Sequence, residues 1–170
     1  MERVQTFADF HRISNEWNPV LTTVDTIEEA ADNINFSHED YPDFVESTKT
    51  TIENVITWLE DGVTLNEGYI KQIHKMCMKG KEYLRLGDYR MGTVIVNDQL
   101  EPPQAHMIPQ MMMSIFPVGT EYQTNSEEII EWYKKFETIH PFEDGNGRVG
   151  GVVLAAISYM NSGKYIVPKK

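Results

Sequence analysis

An all-α fold, a helical bundle carrying one small β-hairpin, is what this sequence predicts, and three observations carry the prediction. Apolar residues recur at helical spacing through most of the chain, as in Phe44, Val45, Thr48, Ile52, Val55, Ile56 and Leu59. Three candidate capping boxes, Thr26 with Glu29, Thr64 with Glu67 and Thr124 with Glu127, stand just ahead of such stretches. One segment alone, Gly87 to Val96, is rich in β-branched residues and bounded by turn formers, with Asn97-Asp98 closing it. A chain of 170 residues suits a single compact unit with one sizeable core. Residues 1–39 read as an N-terminal extension packed on a domain spanning 40–170.

Along the chain, residues 1–25 predict a short helix followed by an extended segment, and Thr26 then starts a short helix over Ile27 to Asn33. Pro42 opens a longer helix through Leu59 that Gly62 closes, since proline is tolerated in a first helical turn. Thr64 starts the next, through Ile70, Ile73, His74 and Cys77 to Gly80. Pro109 to Phe116 reads as a methionine-heavy helix that serves packing. Glu128 to Ile139 carries Ile129, Tyr133 and Phe136 on one face and ends at Pro141, which has no backbone donor. A final helix runs from Gly145 through Val149, Val152, Val153, Ala156 and Tyr159 to Gly163. Lys164–Lys170 reads as a solvated basic tail.

Composition excludes several functions. A formal charge of −11 argues against nucleic acid, whose phosphates reward clustered Lys and Arg. No run approaches the roughly 20 apolar residues of a membrane span, and Met-Glu-Arg-Val-Gln at the start has no apolar core of a signal peptide. Cys77 is alone, so no internal disulfide forms, and the expected setting is cytoplasmic. As a nucleophile Cys77 would need a base such as His74 one turn away; a buried structural thiol is the expectation.

The chemistry is concentrated in His140 to Gly151, which reads His-Pro-Phe-Glu-Asp-Gly-Asn-Gly-Arg-Val-Gly-Gly. His140 can accept a proton near neutral pH. Asp144 is a hard oxygen ligand suited to Mg²⁺. Gly145 and Gly147 at the mouth of a helix leave backbone N–H groups aimed at one point, an anion site reinforced by the helix dipole. Asn146 can donate to a phosphate oxygen and Arg148 can clamp one or two more. Phe142 is expected to point into the core and lock the loop. A base, a metal ligand, an anion nest and a guanidinium within nine residues read as phosphate-transfer chemistry.

This string resembles the Fic signature, His-x-Phe-x-Asp/Glu-Gly-Asn-Gly-Arg-x-x-Arg, at every fixed position but the last, where Gly151 replaces the second arginine. The resemblance extends over about residues 40–163. Leu65 to His74, which reads Leu-x-x-x-x-Ile-x-x-x-His, resembles the family helix that precedes its flap, and Gly87-Asp-Tyr-Arg90-Met-Gly-Thr93-Val94-Ile95-Val96, followed by Pro102-Pro103, resembles the flap itself. The family implies a flap edge, here Thr93 to Val96, on which a target segment docks as an added strand with its hydroxyl over His140. It implies as substrate a nucleotide donor, ATP or another, and as product a protein carrying a nucleoside monophosphate on a Ser, Thr or Tyr hydroxyl. Phe142, Gly145, Asn146, Gly147 and Arg148 then hold the nucleotide and its phosphates, and Asp144 the Mg²⁺.

The departure at Gly151 matters, because the missing arginine grips terminal phosphates in ATP-using relatives and pairs with an inhibitory glutamate. A glycine there is expected to leave the far end of the cradle open and uncharged. That favours, as an alternative, a Fic-fold transferase with a different donor such as a CDP-linked group, as in the phosphocholine-transferring branch. A degenerate nucleotide- or protein-binding Fic module without turnover is the third reading. The kinase-like Doc branch fits less well, because it resembles Asn-Lys-Arg where this chain has Asn146-Gly147-Arg148. Thr50-Thr51-Ile52-Glu53-Asn54 resembles the family's inhibitory helix only loosely, since Lys49 stands four before Glu53. The resemblance admits an inhibitory partner protein without identifying one.

Overall fold

The chain winds around its own last helix. The computed structural model describes residues 2–36, 44–94, 96, 100–119 and 125–170. Within them the elements run β1 (Glu2–Arg3), α1 (Phe7–Glu16), β2 (Leu21–Val24), α2 (Ile27–Asn35), α3 (Val45–Glu60), α4 (Glu67–Cys77), β3 (Leu100–Glu101), α5 (Ile108–Ser114), α6 (Ser126–Ile139), α7 (Asn146–Ser162) and β4 (Tyr165–Pro168). α7 is buried without a break from Arg148 to Ser158. Its sequence dictates this, because Val149 to Ile157 is apolar on every side, and a helix apolar all round has to lie in a core. α2, α3, α4, α6 and β4 pack around it, and α1 lies on α6. The architecture is therefore the predicted one, mostly helical with minor β-structure. Among the described residues no helix is long and apolar enough to cross a membrane.

Two neighbouring glycines let helices approach α7 closely from two sides. A Cβ on Gly150 would overlap Glu137 Oε1 and lie 3.1 Å from Phe136, both on α6. A Cβ on Gly151 would lie 2.9 Å from Ile34 Cγ1 on α2. The space beyond Gly151 is thus filled by a buried isoleucine, whereas the sequence suggested an open end. The reason is that α2 supplies Ala30, Ala31 and Ile34 as a buried stripe that needs a smooth partner surface.

The helix starts are set by asparagines as much as by threonines. Thr26 caps α2 as expected, its Oγ1 accepting the Glu29 N–H at 3.1 Å. α4 is capped by Asn66 instead of Thr64, with Oδ1 accepting from Tyr69 N–H at 3.1 Å. α6 is capped by Asn125, accepting from Glu128 N–H at 2.9 Å; Thr124 lies outside the described residues. Asparagine caps at least as well as threonine and here stands closer to the apolar stripe. Thr6 and Asp9 form a further, reciprocal box at the start of α1.

The C-terminal segment corrects the expectation of a solvated tail. Tyr165 to Pro168 pairs antiparallel with Leu21 to Val24, burying Tyr165 and Val167. The alternation Tyr-Ile-Val was present in the sequence, hidden between lysines. The flap region is also less regular than a hairpin over 87–97. Val96 bridges Leu100 through bonds of 2.8 and 3.1 Å, and β1 pairs parallel with β3 (Glu2 with Leu100, Arg3 with Glu101). Gly87 ends a turn and Tyr89 to Met91 run in no regular element, with Arg90 hydrogen-bonded to the end of α6 instead of to a neighbouring strand. Ile95 and Asn97-Asp98 lie outside the described residues.

Candidate active site

α6 ends at His140, whose backbone is left-handed (φ 51°), with its N–H still donating to the Phe136 carbonyl at 3.0 Å. A non-glycine residue pays on the order of 1–2 kcal/mol for that conformation, so something must hold it. Arg90 does. Its backbone N–H donates to Pro141 O at 2.8 Å. Its Nε donates to His140 O at 2.7 Å, and its Nη2 to Ile139 O at 3.2 Å and Pro103 O at 2.6 Å. Its Nη1 donates to Gly92 O at 2.9 Å. A guanidinium thus caps the orphan carbonyls at the end of α6 and ties them to the flap region. Burial brings its pKa down to about 10, which leaves it charged at neutral pH. Arg90 was visible in the sequence as part of the flap pattern; its role as the staple was not.

The loop from Pro141 to Gly145 is held from within. Phe142 N–H donates to Asn146 Oδ1 and Asn146 Nδ2 donates to Phe142 O, each at 2.9 Å. The Phe142 ring is fully buried, as expected, and stacks on His74 with centroids 3.9 Å apart and planes 6° from parallel. His74 receives the Gly87 N–H on Nδ1 at 2.9 Å. Its Nε2 lies 2.9 Å from the Asp144 carbonyl. An acceptor Nδ1 fixes the tautomer, so Nε2 carries the hydrogen and donates it to Asp144. Burial favours that neutral form by lowering the pKa. His74→Phe keeps the stack but strands the Gly87 N–H and the Asp144 carbonyl. We expect a loss of about 1–3 kcal/mol in urea unfolding; parental stability would contradict the bridging role.

Beyond the loop, Gly145 adopts φ 84° as the N-cap of α7, and no side chain caps that end. Its own N–H donates to Asp144 Oδ1 at 2.8 Å. The first turn of α7 therefore presents backbone donors with a half-exposed carboxylate beside them, the geometry of an anion site next to a cation ligand. Lys81 Nζ lies 3.8 Å from Asp144 Oδ2, a cation that no periodicity signalled in the sequence.

Two side chains given to phosphate by the sequence are turned to protein partners. Asn146 is 2% exposed and occupied by Phe142 as described. Arg148 is 1% exposed, with Nε donating to Asn35 Oδ1 at 2.8 Å and its guanidinium carbon 4.3 Å above the Phe44 ring. Asn35 in turn donates to Ala31 O at 2.7 Å and Thr48 Oγ1 at 3.0 Å. Both residues brace the mouth of α7, and Arg148 adds positive charge to its first turn. Nothing in the sequence linked Asn35 to a residue 113 positions away.

His140 itself titrates low. Burial is the main cause, the Arg90 charge adds to it and the Asp144 carboxylate partly offsets it, bringing the pKa to about 4. The ring is therefore neutral at pH 7 and able to accept a proton. Cys77 is buried and its thiol is pushed up to about 12, which makes it a packing group, as expected, and no nucleophile. Glu53 is exposed on α3, away from the buried face formed by Ile52 and Val55. Of the flap residues, Thr93 is exposed while Val94 and Val96 are half-buried.

A helix pair joined by a stapled loop, with a neutral histidine at one end and open backbone donors at the other, lies at the centre of this helical domain. The Fic/DOC family profile matches residues 64–158, more than half of the chain, and the protein belongs to that family. Over 99 residues it is 31% identical to a probable protein adenylyltransferase of Aquifex aeolicus (strain VF5), covering 57% of this chain and 31% of that one. Among solved structures, a Fic domain containing signaling protein from Bacteroides thetaiotaomicron superposes with a TM-score of 0.64 at 16% identity, over 77% of this chain and 62% of the other. A Fic family protein from Desulfovibrio desulfuricans G20 gives 0.51 at 23% identity, over 91% and 46%. The chain thus spans about a third of the length of that curated relative.

Proposed function

We propose that this protein transfers a nucleoside monophosphate, AMP in the leading reading, from a nucleotide donor to a side-chain hydroxyl of another protein. The observation that supports it most is the juxtaposition of His140, neutral and held by Arg90, with the uncapped first turn of α7. The relative's name, probable protein adenylyltransferase, points the same way. In this reading the imidazole of His140 takes the proton of the attacking hydroxyl. That oxygen bonds to the donor's α-phosphorus, the bond to the bridging oxygen breaks, and pyrophosphate leaves when the donor is ATP. The N–H groups of the first turn of α7 and the nearby charge of Arg148 stabilise the negative charge that develops on the phosphoryl oxygens. The flap from Thr93 to Val96 is assigned to docking the target. One side of Val96 is already spent on Leu100, and β1 covers the next edge, so an added strand meets the remaining side.

The residues present suit Mg²⁺ in one particular mode. Among the described residues no group of three or more His, Cys, Asp or Glu could hold a metal. Asp144 offers a single half-exposed carboxylate beside the anion site, and Mg²⁺ commonly takes one or two carboxylates together with substrate phosphates. When bound, the ion would neutralise phosphate charge. Asp144→Ala is expected to weaken Mg²⁺ binding to the nucleotide-loaded protein and to abolish transfer; calorimetric titration of Mg²⁺ reads this, and an unchanged affinity would make Asp144 structural.

A second reading keeps the transfer but changes the donor. Ile34, an apolar side chain, occupies the space next to Gly151, so position 151 itself contributes no cation to hold terminal phosphates. That supports donors such as CDP-linked groups. Mass spectrometry of a lysate incubated with the purified protein, Mg²⁺ and a panel of nucleotide donors tests both readings. A mass increment on protein hydroxyls identifies the donor, and no increment with any donor points to a binding module without turnover.

A further inference from the structure

A second cavity lies away from the α7 mouth, under the small sheet. Val96, Leu100 and Glu2 are register partners across neighbouring strands, and they face α1 and α6 across a space of about 520 Å³. Ile13 and Trp17 line it from α1, and Tyr133, Glu137 and Thr138 from α6. A volume of this size falls within the usual range for small-molecule sites. Trp17 is 38% exposed and stacks on Tyr133 with centroids 6.0 Å apart, so an aromatic wall stands at the opening.

Glu137 is the group that this cavity leaves unexplained. Its Oε1 is buried with no hydrogen-bond partner. A carboxyl left so is costly, and native structures rarely retain one without a use. Its seat is also made for it. Any side chain at position 150 would overlap Oε1 and crowd Tyr133, so Gly150 is what allows α7 to accommodate both lining groups.

We propose that this cavity is a binding site for a small organic ammonium group, with Glu137 as its counter-ion and the Trp17–Tyr133 pair as its aromatic wall. A carboxylate and ring faces together recognise an alkylammonium better than any neutral group of the same shape. The inference does not rest on the transferase reading: Glu137, Trp17 and Tyr133 lie outside the His140–Arg148 constellation, and Val96 alone of the lining is shared with the flap assigned to target docking.

The protonation state gives the site a signature. Burial pushes the Glu137 carboxyl up to about 8, so that it is mostly neutral at pH 7. Few other groups face it. β1 contributes Glu2, already paired with Arg12 at 3.2 Å, and α6 contributes Tyr133, itself raised by burial and by Glu137. α1, β3 and Val96 contribute only apolar or aromatic side chains to the lining, and α7 contributes Gly150. A bound cation favours the ionised acid, so binding at pH 7 releases a proton, and affinity rises with pH up to about 8.

The test is calorimetry on the whole protein with n-butylammonium as the probe and n-butanol as its neutral isostere. We expect the ammonium to bind about tenfold or more tightly than the alcohol. Repeating the titration in buffers of different ionisation enthalpy should show close to one proton released. Glu137→Gln, which keeps the shape, should cost about tenfold or more in affinity, and Trp17→Ala, at a partly exposed position, should weaken binding with the fold intact. Nα-acetyl-lysine methylamide, run as a further arm, binds as well as the amine when the natural ligand is a lysine side chain, and less well when it is a free amine. Asp144→Ala should bind n-butylammonium like the parent, which separates this site from the nucleotide chemistry. Equal binding of amine and alcohol, no binding of either, or undiminished binding by both Glu137→Gln and Trp17→Ala would overturn the proposal.

Discussion

His140→Ala should reduce transfer by about 10²–10⁴-fold while leaving nucleotide affinity nearly unchanged. The reasoning combines geometry with protonation. The imidazole stands where α6 breaks, on a left-handed residue whose carbonyl Arg90 holds at 2.7 Å, so the ring is positioned by the backbone. With its pKa near 4, it is already neutral throughout the physiological range. It therefore needs no prior deprotonation, and the acid limb of a pH–rate profile attributable to it should fall near pH 4, well below the 6.5 of a free histidine. The sign follows from the direction of the shift: burial and Arg90 disfavour the charged ring, so protonation is delayed to lower pH. Single-turnover rates with a fixed target, from pH 4 to 8, would show both effects. A variant within a few-fold of the parent would remove His140 from the base role. A limb near 6.5 would mean that substrate binding re-solvates the ring.

How much of this was legible in the sequence depends on the range over which each interaction acts. α7 was visible because its apolar character is continuous, and α6 because Ile129, Tyr133 and Phe136 repeat at helical spacing and Pro141 stops them. The order of His140, Asp144 and the glycines is equally local, so the loop and the uncapped start of α7 are legible as well. The partners were not local. Arg148 meets Asn35 across 113 residues and His74 meets Asp144 across 70. No periodicity encodes such pairs, so pattern alone assigns Asn146 and Arg148 to phosphate, whereas their side chains are engaged by protein. β4 is illegible for a related reason: its four residues acquire meaning only through pairing with Leu21 to Val24 at the other end of the chain. Arg90 shows the intermediate case, a residue recognisable by pattern whose guanidinium meets four carbonyls from three separate segments.

Gly151→Arg is expected to destabilise the protein by about 3–6 kcal/mol, combining the overpacking of a tight contact with the burial of an unpaired charge. The sequence alone suggested the opposite use for this position, an arginine restored to an empty phosphate pocket. The structure places Ile34 there. A Cβ would already meet Ile34 Cγ1 at 2.9 Å and Cγ2 at 3.1 Å, closer than packed carbons ordinarily come, and the rest of an arginine side chain has to follow it. Helix propensity works in the other direction, because glycine inside a helix costs about 0.5–1 kcal/mol relative to alanine, but that gain is smaller than the clash. Gly151→Ala should therefore be mildly destabilising and Gly151→Arg severely so, with α2 displaced from α7. Ile34→Ala alone should cost about 2–5 kcal/mol through the cavity it leaves. In combination with Gly151→Arg the cost should fall well short of the sum, because the two changes relieve each other in the same space. Urea unfolding of the four proteins closes this cycle, and dissociation constants for mono-, di- and triphosphates on each of them report on the cradle. Should Gly151→Arg instead retain parental stability and bind triphosphates selectively, α2 must swing away from α7 at little cost, and the position next to Gly151 would belong to the donor after all.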